Sequence, residues 1–126
     1  MSGERILVVE DNAKNMKLFR EVLVATGYET LEATSGGEAV ELATRETPDL
    51  VLMDIQMPDF DGVEALKRLR ADVRTASIPI LALTAQAMQG DRERFLAAGF
   101  DGYISKPVNV RELIGTVREH CDRRSA

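Results

Sequence analysis

Short runs of consecutive apolar residues alternate with segments of helical period along this chain, and that alternation leaves few folds open. Arg5 to Glu10 is such a run, and Leu50 to Asp54 is the most hydrophobic, so it is expected at the centre of a sheet. Tyr28 to Ala33, Ile78 to Thr84 and Tyr103 to Ser105 complete a set of five expected strands. Apolar residues on successive positions mean strands buried on both faces, the mark of a parallel sheet covered by helices.

The intervening segments carry helix signals. Asn12 can cap a helix with Met16, Phe19 and Leu23 inward, ended by Gly27. Ser35 with Glu38 forms a capping box before Ala39, Leu42 and Ala43, and Pro48 closes that segment. A loop with Pro58 and Gly62 leads to a helix using Val63, Leu66 and Leu69. Pro79 stands near the start of the fourth strand, where a missing donor does least harm. A shorter, weaker helix surrounds Arg92 to Ala98 and ends at Gly99, and Val110 to Cys121 closes the chain with Leu113, Ile114 and Val117 inward. The expectation is an α/β fold of three layers, a doubly wound parallel five-stranded sheet. The strand order 2-1-3-4-5 is common for such sheets and is adopted by analogy.

Composition narrows the function. The 126 residues suffice for one core, and the chain stops soon after its last periodic segment, so a single domain over 1–126 with no output domain is expected. No run of about 18 apolar residues would span a membrane. Met1 to Arg5 leads straight into a strand, without a signal-peptide pattern, and the one cysteine, Cys121, cannot form an internal disulfide. Both fit a cytoplasmic location. The net charge is −5 and no basic block exceeds Arg123-Arg124, so nucleic acid has no electrostatic footprint and partners should be proteins.

The polar residues then fall at one place. Glu10-Asp11 ends the first strand, Asp54 the third and Thr84 the fourth, and Lys106 follows the fifth. In a parallel sheet these ends share one edge, where ligand sites lie. Clustered carboxylates repel unless a cation sits among them. Hard oxygen ligands suit Mg²⁺, Lys106 supplies a point charge for a phosphoryl oxygen, and Thr84 supplies a hydroxyl donor. Three carboxylates against Mg²⁺ and one ammonium give a neutral resting site, one suited to accepting a phosphoryl group on a carboxylate.

Those residues, with Met57-Pro58, Asp61-Gly62, Thr84-Ala85 and Tyr103 to Pro107, resemble the response-regulator receiver domains of two-component systems, from Arg5 to about Arg118. Glu10-Asp11-Asn12, Asn15 to Phe19 and Asp54-Ile55-Gln56 are similar to the stand-alone, CheY-like members. The resemblance implies a flavodoxin-like fold and a single-domain response regulator, phosphorylated on Asp54 by a histidine kinase or histidine phosphotransfer protein. It implies Asp11, Asp54 and the Gln56 carbonyl as direct Mg²⁺ ligands, Glu10 as one acting through water, and Thr84 and Lys106 as the phosphoryl-binding pair. Tyr103 would be the aromatic that answers to Thr84, and Lys106–Pro107 would be cis. Gln56 and Gln86, each two residues beyond a site residue, would tune hydrolysis of phospho-Asp54. The output surface would be the fourth helix, fifth strand and fifth helix, with Arg92, Arg94 and Arg111 as contacts, in a monomer or weak dimer. One departure is Glu10, where the family often has the shorter Asp, which puts its metal contact in question.

Rival readings have specific obstacles. An aspartyl-phosphate phosphatase or mutase needs an acid two residues after its nucleophile, and that position is Gln56, so no separate enzymatic turnover is expected. A flavin carrier of this fold needs backbone donors for a phosphate after the first strand, where Glu10-Asp11 would repel it. A receiver taken from a hybrid histidine kinase and a non-phosphorylated scaffold are the alternatives, the latter opposed by the intact set Asp11, Asp54, Thr84 and Lys106. Met53, Met57, Met88 and Cys121 read as packing residues, and His120 as a cation in the last helical turn.

Overall fold

The strands β1 (Arg5–Val9), β2 (Glu29–Ala33), β3 (Leu50–Asp54), β4 (Ile80–Thr84) and β5 (Gly102–Ser105) form one sheet of order β2-β1-β3-β4-β5 in this computed structural model. Every pairing is parallel. Helices α1 (Ala13–Ala25), α2 (Gly36–Glu46), α3 (Gly62–Ala71), α4 (Asp91–Ala98) and α5 (Val110–Ser125) alternate with them. Residues 3–55, 62–84 and 91–125 are described, those at 91–92 and 123–125 by backbone alone.

Alternation along the strands splits the core in two. Leu7, Val9, Val51, Met53, Ile80 and Ala82 meet α2, α3 and α4 through Ala39, Ala43, Leu66, Leu69 and Phe95. Their neighbours Ile6, Val8, Leu50, Leu52, Leu81 and Leu83 meet α1 and α5 through Phe19, Leu23, Leu113 and Val117. Successive side chains point to opposite faces, so covering both faces requires apolar residues in unbroken runs, the pattern legible in the sequence. The outer strands β2 and β5 are covered only in part.

Two helices stop in the same way. At Gly27 (φ 105°) the Tyr28 N–H donates to the Leu23 carbonyl and the Gly27 N–H to that of Val24. At Gly99 (φ 118°) the Phe100 N–H donates to Phe95 and the Gly99 N–H to Leu96. Both are Schellman ends, in which the left-handed residue carries no Cβ to strain. The apolar contact that accompanies this motif is present at the second: the Phe95 and Phe100 rings meet edge to face at 6.1 Å, and Tyr103 lies 6.4 Å from Phe95. Helix α4, only weakly amphipathic in sequence, is held chiefly by this aromatic cluster.

Several boundaries and contacts differ from expectation. Strand β4 begins at Ile80, although the Pro79 carbonyl still accepts from the Val51 N–H. Glu38 returns its carboxylate to the Thr34 N–H, one residue before the capping Ser35. Helix α5 runs on to Ser125, so His120 is not in its last turn. Its ring nitrogens lie instead 2.9 Å from the Thr116 carbonyl oxygen and 3.3 Å from that of Asp101. Arg70 donates to the carbonyls of Ala76, Ile78 and Gly99 and to the Asp101 carboxylate, which also accepts from the Ile80 N–H. This joins α3, β4 and the approach to β5 without any periodic signal in the sequence.

Cys121 is 2% exposed, and burial pushes its thiol up to about 11. The unfolded chain therefore loses this proton first as pH rises past the ordinary thiol range, and the folded state loses stability between there and about pH 11. At pH 8 the native thiol is expected to resist alkylation, reacting at a normal thiol rate only after denaturation, as mass spectrometry would show. Equal labelling of native and denatured protein would contradict this.

Candidate functional site

The sheet register itself brings the acids together. Strands β1 and β3 pair Val9 with Met53, so one residue further the chain sets Glu10 beside Asp54. Both carboxylates continue the parity of the residues facing α1 and α5 and stand at the sheet's carboxyl edge. The Glu10 N–H still donates to the Ala33 carbonyl, which fixes the start of the turn. Asn12 then caps α1, its side chain accepting from the Asn15 N–H at 3.0 Å.

Lys106 arrives from the other side. Its N–H donates to the Thr84 carbonyl at 2.8 Å, extending the β4–β5 pairing, and the Lys106–Pro107 bond is cis. The ammonium then lies 2.9 Å from Glu10 Oε1 and 2.9 Å from Asp54 Oδ2. Glu10 is 1% exposed, and Asp54 and Thr84 are also buried, while Asp11 is open to solvent. Carboxylate oxygens of Glu10, Asp11 and Asp54 lie within 4.8 Å of one another. Glu10 Oε2 also accepts from the Asn12 N–H at 3.2 Å.

The electrostatics follow from this crowding. Burial pushes the Glu10 carboxyl up from its ordinary value; the Lys106 hydrogen bond opposes this, and the Asp54 charge reinforces it. Burial alone would lower the Lys106 ammonium, but its hydrogen bonds to Asp54 and Glu10 outweigh that and hold it above the usual lysine value. One ammonium thus faces three acids, and the cluster still lacks positive charge. Hard, close carboxylate oxygens, one of them exposed, fit a divalent cation of the Mg²⁺ kind.

Glycine closes the site from below. The Gly62 N–H donates to the Ile55 carbonyl at 2.7 Å, and a Cβ on Gly62 would lie 2.6 Å from the Asp54 carbonyl oxygen and 3.0 Å from Ile55 Cα. The first turn of α3 therefore rests directly on the backbone that carries Asp54. Thr75, fully buried, donates its hydroxyl to the Leu69 carbonyl and seals the other end of that helix. Sequence reasoning placed Gly62 in the loop before α3, where it is instead the first residue of the helix, did not foresee its close approach to the Asp54 backbone, and passed over Thr75.

Of the residues expected at the site, Glu10, Asp11, Asp54 and Lys106 converge, and Thr84 ends the neighbouring strand. Tyr103 is half-buried against the aromatic cluster of α4. Gln56, Met57, Pro58, Asp61, Ala85, Gln86 and Met88 lie outside the described residues.

The sequence model of the response regulator receiver domain matches residues 6–118. The chain belongs to that family. The receiver is 48% identical over 115 residues to the polar-differentiation response regulator DivK of Brucella ovis, covering 91% of this chain and 94% of the relative. The DivK of Brucella anthropi is 47% identical over the same length. Among solved structures, the receiver domain of a sensor histidine kinase from Pseudomonas aeruginosa, with a magnesium ion coordinated in its active site cleft, is 38% identical. It superposes with a TM-score of 0.88 over 96% of this chain and 99% of that one. A CheY-like receiver domain protein from Methanospirillum hungatei is 32% identical, with a TM-score of 0.87 over 98% of each chain. Membership makes this a two-component signalling module of the CheY-like fold, a family whose members interact with histidine kinases or phosphotransfer proteins.

Gly62→Ala is expected to destabilise the domain by about 1–3 kcal/mol, since backbone must move to admit the methyl group. Urea denaturation measures this, and an unchanged midpoint would show that the α3 contact is not fixed by the glycine.

Proposed function

We propose that this receiver takes a phosphoryl group onto Asp54 from a phosphohistidine and answers by changing which protein it binds. The observation that carries the reading is the Lys106 ammonium shared at 2.9 Å between Glu10 and Asp54, beside the exposed Asp11 carboxylate. That arrangement holds a nucleophilic carboxylate, a movable cation and a metal-ligating acid at one point.

Asp11 and Asp54 would hold Mg²⁺ directly, Glu10 through water, with the Gln56 carbonyl as a further ligand. When bound, the ion supplies positive charge to carboxylates that would otherwise repel the incoming phosphoryl oxygens. Asp54 Oδ attacks phosphorus, the new O–P bond forms as the P–N bond breaks, and the imidazole of the donor leaves in line. Lys106 follows the charge, giving up its bond to the Asp54 oxygen for one to a phosphoryl oxygen. Thr84, buried at the end of the next strand, would donate its hydroxyl to another. No separate substrate is turned over, because the position two beyond Asp54 is Gln56, which cannot protonate a leaving group. Gln56 and Gln86 would orient the water that hydrolyses phospho-Asp54.

The response is a population shift. A Thr84 hydroxyl drawn to the phosphoryl group leaves room for Tyr103, whose ring already packs at the root of α4, so the face formed by α4, β5 and α5 would change shape. Action as a single domain over 1–126 is supported by the DivK relatives, matched over 94% of their length. A place within a hybrid kinase is the second reading, favoured by the Pseudomonas neighbour. The absence of a long apolar helix among the described residues accords with work in the cytoplasm.

With acetyl phosphate and Mg²⁺ the protein is expected to take up acid-labile phosphate, and Asp54→Asn or chelation of the metal to abolish it. Labelling that persists in Asp54→Asn and maps to another carboxylate would overturn the assignment. Thr84→Ala should still be phosphorylated but respond less. Losing one charge-assisted hydrogen bond removes about 1.5–3 kcal/mol of bias, roughly tenfold or more in the population ratio. The check is the NMR response of the Tyr103 ring to saturating beryllofluoride; equal responses in wild type and Thr84→Ala would show that Thr84 does not carry the coupling.

A further inference from the structure

Arg70, in the last turn of α3, sends its guanidinium to three places at once. Nη1 donates to the Ala76 and Ile78 carbonyls at 3.0 and 2.7 Å, in the segment that leads to β4. Nη2 donates to the Gly99 carbonyl at 3.1 Å, just past the end of α4, and to Asp101 Oδ2 at 2.7 Å, just before β5. Asp101 is itself fixed to β4. Its N–H donates to the Ile80 carbonyl at 2.8 Å, and its carboxylate accepts from the Ile80 N–H at 2.8 Å. A cation beside a helix C-terminus also meets the negative end of the helix dipole. Lysine could not do the same, since an ammonium has no planar fork of donors.

The rest of α4 is held far less. Among its described side chains only Phe95 is buried; Glu93, Arg94, Leu96, Ala97 and Ala98 are exposed. Past the helix end, by contrast, Phe100 is buried, and a Cβ on Gly99 would lie 3.4 Å from Leu66 Cδ2, so α4 stops against α3. The Gly99 and Phe100 N–H groups return to the Leu96 and Phe95 carbonyls. The attachments are therefore gathered at one end of the helix. Phe95, the one buried side chain before that end, is also the residue whose ring faces Tyr103 at 6.4 Å.

We propose that Arg70 makes the C-terminal end of α4 a fixed pivot, so that the helix answers the switch by swinging about Gly99 and not by sliding as a whole. The inference rests on the reading of Tyr103 as the residue that answers to Asp54, and adds where the helix can and cannot move. At 1.5 Å per residue, Phe95 stands about 6 Å along the axis from Gly99 and Asp91 about 12 Å. A push on the Phe95 ring is thus about doubled at the start of the helix. Arg94, whose guanidinium lies 4.9 Å from the centre of the Phe95 ring, moves with it. Gly99, Phe100 and Asp101 stay in the frame of the sheet. Because α4 runs back from the carboxyl edge toward the start of β5, the larger displacement falls at the end nearer Asp54.

The test measures residual dipolar couplings of the backbone amides in the full chain, with and without Mg²⁺ and beryllofluoride. In the wild type, Glu93 to Leu96 are expected to change orientation relative to the sheet, while Gly99 to Asp101 keep theirs. In Arg70→Met, which keeps the apolar stem, and in Arg70→Lys, which keeps the charge without the fork, Gly99 to Asp101 should turn with the helix. A second measurement does not depend on Asp54. In the resting protein, amide exchange at Gly99, Phe100 and Asp101 should rise about tenfold or more in both variants relative to the amides of β3. Wild-type couplings in which Gly99 to Asp101 turn with α4, or in which α4 keeps its orientation, overturn the pivot. So does exchange that rises no more there than in β3. If beryllofluoride leaves the Asp54 amide signal unchanged, the phosphoacceptor reading fails, and the exchange result alone decides whether Arg70 holds the helix end.

Discussion

Buried carboxylates set beside one another need a cation, and the arrangement of this receiver follows from where that cation comes from. Two unit charges at the spacing of Glu10 and Asp54 repel by roughly 3–4 kcal/mol at an effective dielectric near 20, a sizeable share of a small domain's stability. Lys106 offsets that repulsion from 52 residues beyond Asp54 and 96 beyond Glu10. Its ammonium can act only because β5 lies where the strand order puts it, next to β4 and on the same edge. One cation shared by two acids is also one that can move, and the proposed chemistry uses that freedom.

Much of the fold was legible because parallel strands buried on both faces leave a plain trace. The runs ending at Glu10, Asp54 and Thr84 need no alternation to be read, and Asn12, Gly27 and Gly99 mark helix ends by backbone requirements that few residues meet. What escaped notice depends on tertiary packing. Strand β4 starts two residues later than its apolar run, and α5 continues through the polar residues after Cys121, where a helix needs no apolar face. Ile114, expected inward, is only half-buried, whereas Cys121 packs inward as the sequence led one to expect.

The site was legible for a different reason. Residues at strand ends have their position fixed by topology, so Glu10, Asp11, Asp54, Thr84 and Lys106 could be brought together before any geometry was known. Gly62 and Arg70 could not. The first matters through a close approach to backbone, and the second through a fork of bonds to carbonyls whose locations only the folded chain defines.

The sharing of Lys106 also bears on how the chain acquires its structure. Pairing of β1 with β3 sets Glu10 beside Asp54, whereas their counter-charge sits on a segment that docks only after β4 has joined the sheet. Loop closure over such separations is slow, so partly assembled sheets carry a pair of acids with nothing to neutralise them. Assembly that stops short of β5 is thereby penalised electrostatically as well as by exposed apolar area. The charge pattern that prepares the domain for phosphate makes its folding more nearly all-or-none.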